Sequence, residues 1–318
     1  MADELAELQI LLLGDERTGP DPGGAYRYCA QLAGRDAKFA ALAGVFAAQG
    51  VGRVADWNAA LDFLTQAAIM GDRAARRQLA ALGARKEERV VSGEAGGEQL
   101  WRRVRAEIDI DLMLTPPGAQ LIAESPSIRV IKGFASPQVS AWLVRAAQNR
   151  LQDGMVNDAA TGQVRVHQMR TAKYAPLNIL MKDVATLAMQ ERAARATGIP
   201  LAQHEPPNVI SYQPGQQFEP HYDFVDPTVA HFQMELMLQG QRIATIVTYL
   251  NDDFDGAETA FPRLNWKFRG SLGDAIVFYN VTPDGKPDPR TLHAGLPPTR
   301  GRKWVLSQWL RDRAQPVL

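Results

Sequence analysis

A single cysteine, Cys29, stands among 318 residues, so no intrachain disulfide can form. That scarcity favours a reducing compartment, and a lone thiol among alanines is more simply a small core residue than a nucleophile. Net charge is absent too: 35 Lys and Arg offset 35 Asp and Glu, leaving no overall field to draw in nucleic acid or an anionic membrane. The basic runs Arg73 to Arg89 and Arg102-Arg103-Val104-Arg105 have acids mixed in or close by and read as solvated helix faces. No apolar run reaches membrane-spanning length, and Ile10 to Leu13 is too short for a signal peptide behind the acidic start Met1-Ala2-Asp3-Glu4. The expectation is a cytoplasmic protein that binds neither nucleic acid nor membrane. What is present is ordinary for a globular chain, 46% apolar and 22% charged, with length enough for a large core and two domains.

The first part of the chain, to about Gly83, is alanine-rich with helical periodicity. Lys38 to Gln49 reads as one helix, Gly50-Val51-Gly52 breaks it, and Asp56 caps a second helix from Trp57 to Met70 that Gly71 ends. Small residues at Ala40, Ala43, Ala47, Ala60, Ala67 and Ala68 allow two helices to approach closely. With its Gly-x-Gly turn and the close Ala67-Ala68-Ile69-Met70-Gly71, the segment resembles the Sel-like repeat, a relative of the tetratricopeptide repeat. Such units bury their faces by stacking on neighbours. They read either as a protein- or peptide-binding surface, or as a helical cap or homodimer contact. Ser92-Gly93-Glu94-Ala95-Gly96-Gly97 has linker composition. Glu98 to Glu107 reads as a short helix and Ile108 to Leu114 alternates like a strand.

From Ile128 the texture changes. Ile128 to Ile131 reads as a strand, Ser136-Pro137 starts a helix, Val164 to Met169 reads as a strand and Asn178 to Thr197 as a helix. Short strands punctuated by turn residues follow: Pro207 to Tyr212, His221 to Phe224, Arg242 to Leu250, Asp274 to Asn280 and Trp304 to Leu310. The expected fold class is α+β: a C-terminal double-stranded β-helix (jelly roll) with packed helices, preceded by a small all-α helical-repeat domain. The expected boundaries are 1–91 for the repeats, 92–119 for a linker and bridging segment, and 120–318 for the jelly roll.

Within that second part, His221 and Asp223 lie two residues apart on an extended stretch and so can share one face. An imidazole and a carboxylate are two of the three protein ligands of a facial non-haem Fe(II) site, though alone they also suit a hydrogen-bonded surface pair. His293 is the candidate third ligand. Lys303 stands ten positions beyond it, across a segment (Leu296 to Gly301) that reads as a hairpin turn, which would put the two on neighbouring antiparallel strands. An ammonium beside a metal has an electrostatic purpose when an anion lies between them. Arg300 and Arg302 are rival anion binders.

From about Pro126 onward these residues resemble the iron- and 2-oxoglutarate-dependent prolyl 4-hydroxylase family. The matching blocks are Met169-Arg170-Thr171-Ala172, Gln190-Glu191-Arg192, Tyr212 to Asp223, Thr248 to Asp252, Gly256 to Pro262, Gly273-Asp274-Ala275 and His293 to Trp309. The resemblance implies that His221, Asp223 and His293 ligate Fe(II), that Lys303 and Tyr212 hold the far carboxylate of 2-oxoglutarate, and that Thr259 lines that pocket. Arg170 lies in a block that borders the substrate cleft. It further implies use of O2, splitting of 2-oxoglutarate to succinate and CO2, hydroxylation of an unactivated C–H bond, and ascorbate as reductant. Asp223 fills the position that halogenating relatives leave open. His167, His204 and His231 read as structural or exposed, and Tyr249 and Trp309 as core aromatics.

Two insertions, Asp226 to Gln241 with its Met-rich run and Val281 to Pro289, depart from the pattern and are expected at the mouth of the jelly roll. Three readings follow. The first is a hydroxylase of a prolyl or other residue in a peptide or protein. The second is a hydroxylase of a free amino acid or small natural product. The third, from another class, is a helical-repeat scaffold with a vestigial oxygenase domain.

Overall fold

The structure, a computed structural model, describes residues 2–83, 97–157, 164–166, 170–177 and 183–315. The expected linker from Ser92 to Gly96, His167 to Met169 and the start of the helix expected from Asn178 lie outside the described residues. Two compact units divide the rest: one within Met1–Thr115 and Ile179–Glu191, the other within Pro116–Asn178 and Arg192–Gln315. The segment expected to bridge them is thereby split at Thr115.

The first unit is helical. It contains α1 (Ala2–Leu13), α2 (Pro22–Leu32), α3 (Ala37–Gln49), α4 (Trp57–Ile69), α5 (Arg73–Leu82), α6 (Gly97–Ala106) and α7 (Ile110–Leu114). Aspartates open most of these helices. Asp21, Asp36, Asp56 and Asp72 accept from the backbone N–H groups of Gly24, Lys38, Ala59 and Ala75, satisfying donors that the first turn leaves unpaired. The alanines expected to allow close approach are all fully buried. At Gly44 on α3 a Cβ would meet the Ala60 carbonyl of α4 at 2.9 Å, so the two backbones pass with no room for a side chain. The turn between them uses left-handed backbone at Gly50 (φ 79°) and Gly52 (φ 65°), which glycine adopts without steric cost.

One expectation is overturned here. Ile108 to Leu114 is not a strand, because Asp109 accepts from Leu112 N–H at 3.0 Å and caps α7. Ile110, Met113 and Leu114 then turn inward at helical spacing while Leu112 is exposed. Polar residues at alternate positions imitated a strand, and the cap decided the matter. The helix α9 (Val184–Thr197) begins in this unit, where Val184 N–H donates to Gln78 Oε1 at 3.0 Å.

The second unit is a sandwich of two antiparallel sheets. The larger runs β1 (Ala119–Glu124), β2 (Ser127–Ile131), β12 (Ala275–Tyr279), β8 (Arg242–Tyr249), β15 (Lys303–Arg311), β6 (Asn208–Tyr212) and β5 (Lys173–Pro176). The smaller runs β11 (Trp266–Phe268), β10 (Thr259–Phe261), β13 (His293–Gly295) and β7 (Phe218–His221). Two short pairs complete it, β3 (Met155–Asn157) with β4 (Val164–Val166), and β14 (Pro298–Arg300) with β9 (Asp255–Gly256). The helix α8 (Pro137–Gln148) is capped by Ser136, whose Oγ accepts from Val139 N–H. The architecture is mixed helix and sheet of jelly-roll type. The interior strand β15 is buried along nearly its whole length, polar residues included. Edge strand β1, mostly exposed, carries no strong alternation and was not foreseen.

The insertion after Asp223 forms a helix, α10 (Gln233–Gln239), that leaves Met234, Met237 and Leu238 exposed. It is held by charge. Arg311, fully buried at the end of β15, donates to Glu235 at 2.6 Å, to Glu205 at 2.5 Å and to the Gly240 carbonyl. Glu205 also takes a two-point contact from Arg242. Arg311→Met would remove one of two cations from half-buried Glu205 and the guanidinium from half-buried Glu235, which is expected to destabilise by about 2 kcal/mol. A urea denaturation midpoint checks this. No helix among the described residues is long and apolar enough to cross a membrane.

Candidate active site

The two histidines meet because their strands pair. In the β7–β13 ladder His293 is the direct partner of His221, and the rings lie 4.3 Å apart. Asp223 is not on the strand with His221, as had been expected. The strand ends at His221 and Asp223 sits two residues past it in a bend. The bend lets its carboxylate reach both imidazoles, with Oδ1 3.6 Å from His221 Nε2 and Oδ2 3.5 Å from His293 Nε2. One ligand atom from each of the three lies within 4.8 Å of the others.

Hydrogen bonding decides which atoms face inward. His221 Nδ1 contacts the Glu219 carbonyl at 2.8 Å, and His293 Nδ1 contacts the Thr291 carbonyl at 3.0 Å. A carbonyl can only accept, so each Nδ1 carries a proton, and in the neutral ring it is Nε2 that presents its lone pair. Burial, with the neighbouring His293, pushes His221 down to about 3, so it stays neutral at any ordinary pH. Burial works against the Asp223 carboxylate, yet the adjacent imidazoles and the Thr245 hydroxyl hold its pKa below the usual value. Two imidazole nitrogens and one carboxylate therefore converge on one point. The arrangement fits a divalent cation of intermediate hardness in an N, O, N set with positions left open.

Around this cluster is a cavity of about 40 Å³ whose lining includes Tyr212, Phe218, Thr259, Gly295, Lys303 and Trp309 besides the three. Lys303 and Tyr212 are direct partners across β15 and β6. The ammonium lies over two aromatic faces, 5.2 Å from the Tyr212 ring centre and 4.7 Å from that of Tyr249, and donates to the Ala257 carbonyl at 2.8 Å. No carboxylate stands within ion-pair distance of it among the described residues. Burial lowers its pKa to about 7, while burial raises Tyr212 to about 12, so the phenol is a donor. Tyr249 is buried as expected, its hydroxyl shared with Thr259 and the Phe268 carbonyl.

The expected hairpin between His293 and Lys303 is not there. Pro298–Arg300 pairs with Asp255–Gly256 instead, and His293 and Lys303 belong to different sheets facing each other across the sandwich. Arg300 pairs with Asp255 at the surface and Arg302 donates to Ser211 Oγ; neither lines the cavity. Arg170 is buried, flanked by the rings of Tyr174 and Phe218 at 4.6 and 4.8 Å, and its Nε and Nη2 have no partner. His204 is buried on the Ile199 carbonyl and His231 is exposed. Sequence reasoning missed Val305, Ser307 and the placement of Trp309 in the cavity wall, although strand alternation from Lys303 contains them. It also missed Gly295, where a Cβ would stand 2.7 Å from the Tyr212 hydroxyl. Gly295→Ala should displace that hydroxyl and weaken binding of a cavity anion about tenfold, roughly 1.4 kcal/mol. Metal affinity should stay unchanged, and titrating both ligands distinguishes the two effects.

Comparison with known proteins agrees with this geometry. Residues 207–311 match the 2OG-Fe(II) oxygenase superfamily. Prolyl 4-hydroxylase 1 of Arabidopsis thaliana is 31% identical over 209 residues, covering 61% of this chain and 72% of the relative. Probable prolyl 4-hydroxylase 9 of the same plant is 36% identical over 213 residues, 62% and 72% of the two chains. Among solved structures, the viral collagen prolyl hydroxylase from Paramecium Bursaria Chlorella virus-1, in its 2OG complex, aligns with a TM-score of 0.46 at 25% identity, over 60% of this chain and 99% of that one. On the relatives' identity and coverage, the chain belongs to the 2OG-Fe(II) oxygenase superfamily as a homologue of the prolyl 4-hydroxylases, an oxygenase that requires Fe(II), 2-oxoglutarate and O2.

Proposed function

We infer that this oxygenase hydroxylates a prolyl residue within a peptide or protein. His221, Asp223 and His293 hold Fe(II), and Lys303 with Tyr212 receives the far carboxylate of 2-oxoglutarate beside Thr259. One observation carries the site reading. Three lone-pair donors converge on one side of a small cavity, and a buried ammonium with no acid partner waits on the other. Fe(II), when bound, supplies the oxygen chemistry by which 2-oxoglutarate becomes succinate and CO2 and a substrate C–H becomes C–OH.

The chain's own residues do the rest. The Nδ1–H bonds to Glu219 and Thr291 fix both imidazole planes before any metal arrives. Lys303 and the protonated Tyr212 orient the dicarboxylate from its distal end, which turns its other end toward the triad. Phe218, stacked on His221 with 3.5 Å between ring centres, and Val247 and Val305 keep water from the reacting side. Arg170 is kept on the substrate side by the family resemblance alone, since its two unpartnered N–H groups are buried and it does not line the cavity. The printed names of the relatives support proline as the residue modified. We read the helical unit as Sel-like repeats that bring such a segment to the oxygenase domain, with 1–91, 92–119 and 120–318 as the functional division.

The test is a succinate-release assay on the purified full chain with Fe(II), 2-oxoglutarate and proline-containing peptides, read together with product mass. Gain of one oxygen atom by a peptide, lost when its proline is replaced by alanine, is the expected result. Succinate release with a free amino acid and with no peptide would overturn the prolyl reading while leaving the enzyme class intact.

A further inference from the structure

Asp223 differs from the two histidines in how it is held. Among the described residues, no backbone group fixes its carboxylate in the way the Glu219 and Thr291 carbonyls fix the imidazoles. Instead Thr245 Oγ1, buried on β8, lies 2.7 Å from Asp223 Oδ2. Thr245 Oγ1 in turn lies 3.0 Å from Nδ2 of Asn280, which is wholly buried just past β12. Asn280 is itself pinned at both backbone groups, its N–H on the Ile243 carbonyl and its carbonyl under Asp288 N–H.

Donor inventory makes the direction of this chain unambiguous. An ionised carboxylate can only accept, so the hydrogen in the 2.7 Å contact is the single hydrogen of Thr245. Thr245 Oγ1 then has only lone pairs to offer Asn280, which must present its NH2 group rather than its carbonyl oxygen. That orientation leaves Asn280 Oδ1 buried with no partner, an energetic cost the fold accepts to keep the amide donor pointed at Thr245. The reverse amide would take the threonine hydrogen and leave two oxygens facing each other at 2.7 Å.

We propose that Thr245 and Asn280 are positioning residues which, through a one-way hydrogen-bond relay, hold Asp223 as a single-oxygen ligand. With Oδ2 engaged by the hydroxyl, Oδ1 is the oxygen that meets a cation without competition, and chelation through both oxygens is disfavoured because it would compete with the Thr245 bond. A coordination position that a chelating carboxylate would fill is thus kept for co-substrate. Outer-shell partners of this kind change metal affinity by about ten- to a hundredfold when removed. The inference rests on the triad reading above.

The experiment uses the full chain and Co(II) alone, with affinity from calorimetry, the visible spectrum as a report on coordination, and melting curves as a report on folding. Wild type, Asp223→Ala, Thr245→Val, Thr245→Ser and Asn280→Ala are compared. Thr245→Val should bind about tenfold more weakly with an altered spectrum, and Thr245→Ser, which restores the hydroxyl, should return both to within about twofold of wild type. Asn280→Ala, which keeps the hydroxyl but frees its hydrogen, should fall between them. If Asp223→Ala binds like wild type, the triad reading itself fails. If Asp223→Ala is weakened while folded Thr245→Val keeps wild-type affinity and spectrum, only the relay is overturned. Should Thr245→Val not fold, Asn280→Ala decides by the same criterion.

Discussion

Replacing His293 by alanine should abolish metal-dependent turnover while leaving the protein folded. The imidazole is one of the three converging groups, and its buried ring lies against Phe261 and Phe278. Succinate release should fall at least about a thousandfold, equivalent to about 4 kcal/mol of lost transition-state stabilisation. Iron content of the purified protein should fall with it. The control is His204→Ala. That imidazole is equally buried but bonded to the Ile199 carbonyl, and it is not among the residues that line the cavity. Its loss should lower the melting temperature and leave iron content and turnover near wild type. Equal iron content in His293→Ala and wild type would remove the basis for the site as described.

The second large effect concerns Lys303. Its ammonium is stripped of water, so in the ligand-free protein burial lowers its pKa to about 7. A carboxylate that docks against it favours the charged form. Binding 2-oxoglutarate above pH 7 therefore requires the protein to take up a proton, and the apparent affinity should be greatest below pH 7 and fall toward a limit of about tenfold per pH unit above it. Calorimetry in buffers of different ionisation enthalpy measures that proton directly. Lys303→Met should weaken 2-oxoglutarate about a hundredfold or more, a loss of about 3 kcal/mol consistent with breaking a buried charge pair, and it should also erase the pH dependence. The linkage to stability has the opposite sign to that of a paired lysine. The folded pKa lies below the ordinary lysine value of 10.5, so between about pH 7 and 10.5 the unfolded chain holds a proton that the folded chain lacks. Without ligand, this group's contribution to stability rises with pH across that window, and its penalty is complete below pH 7.

The sequence made the anchor residues of this site visible because their chemistry and order are unusual together. His221, Asp223, His293, Lys303, Tyr212 and Thr259 all line one cavity. What stayed hidden was how the chain brings them there. His293 and Lys303 looked like opposite sides of a hairpin, since short turn-rich segments usually are. Instead Pro298–Arg300 peels away to pair with a segment more than forty residues earlier, and that detour carries the chain from one sheet to the other. Asp223 was placed on a strand because spacing alone cannot say where a strand stops. Ile110–Leu114 alternates like a strand in sequence, yet it is helical because the Asp109 cap outweighs so short an alternation. Thr245 and Asn280 carried no signal at all. A buried threonine on a strand and an asparagine at a strand end are common, and their meaning comes only from a three-dimensional contact between segments thirty-five residues apart.

The triad histidines share a local device: each Nδ1 is tied to the carbonyl of the residue two positions before it, Glu219 for His221 and Thr291 for His293. A peptide carbonyl is present whatever side chain the residue bears. In a saturation mutagenesis map, the imidazole planes should consequently be insensitive to the identity of residue 219, so long as the backbone there stays extended. Asp223 depends on two particular side chains from elsewhere in the chain. Two of the three candidate ligands are thus sheltered from mutation by the main chain, and evolutionary adjustment of the site has one side-chain route open to it, through the carboxylate.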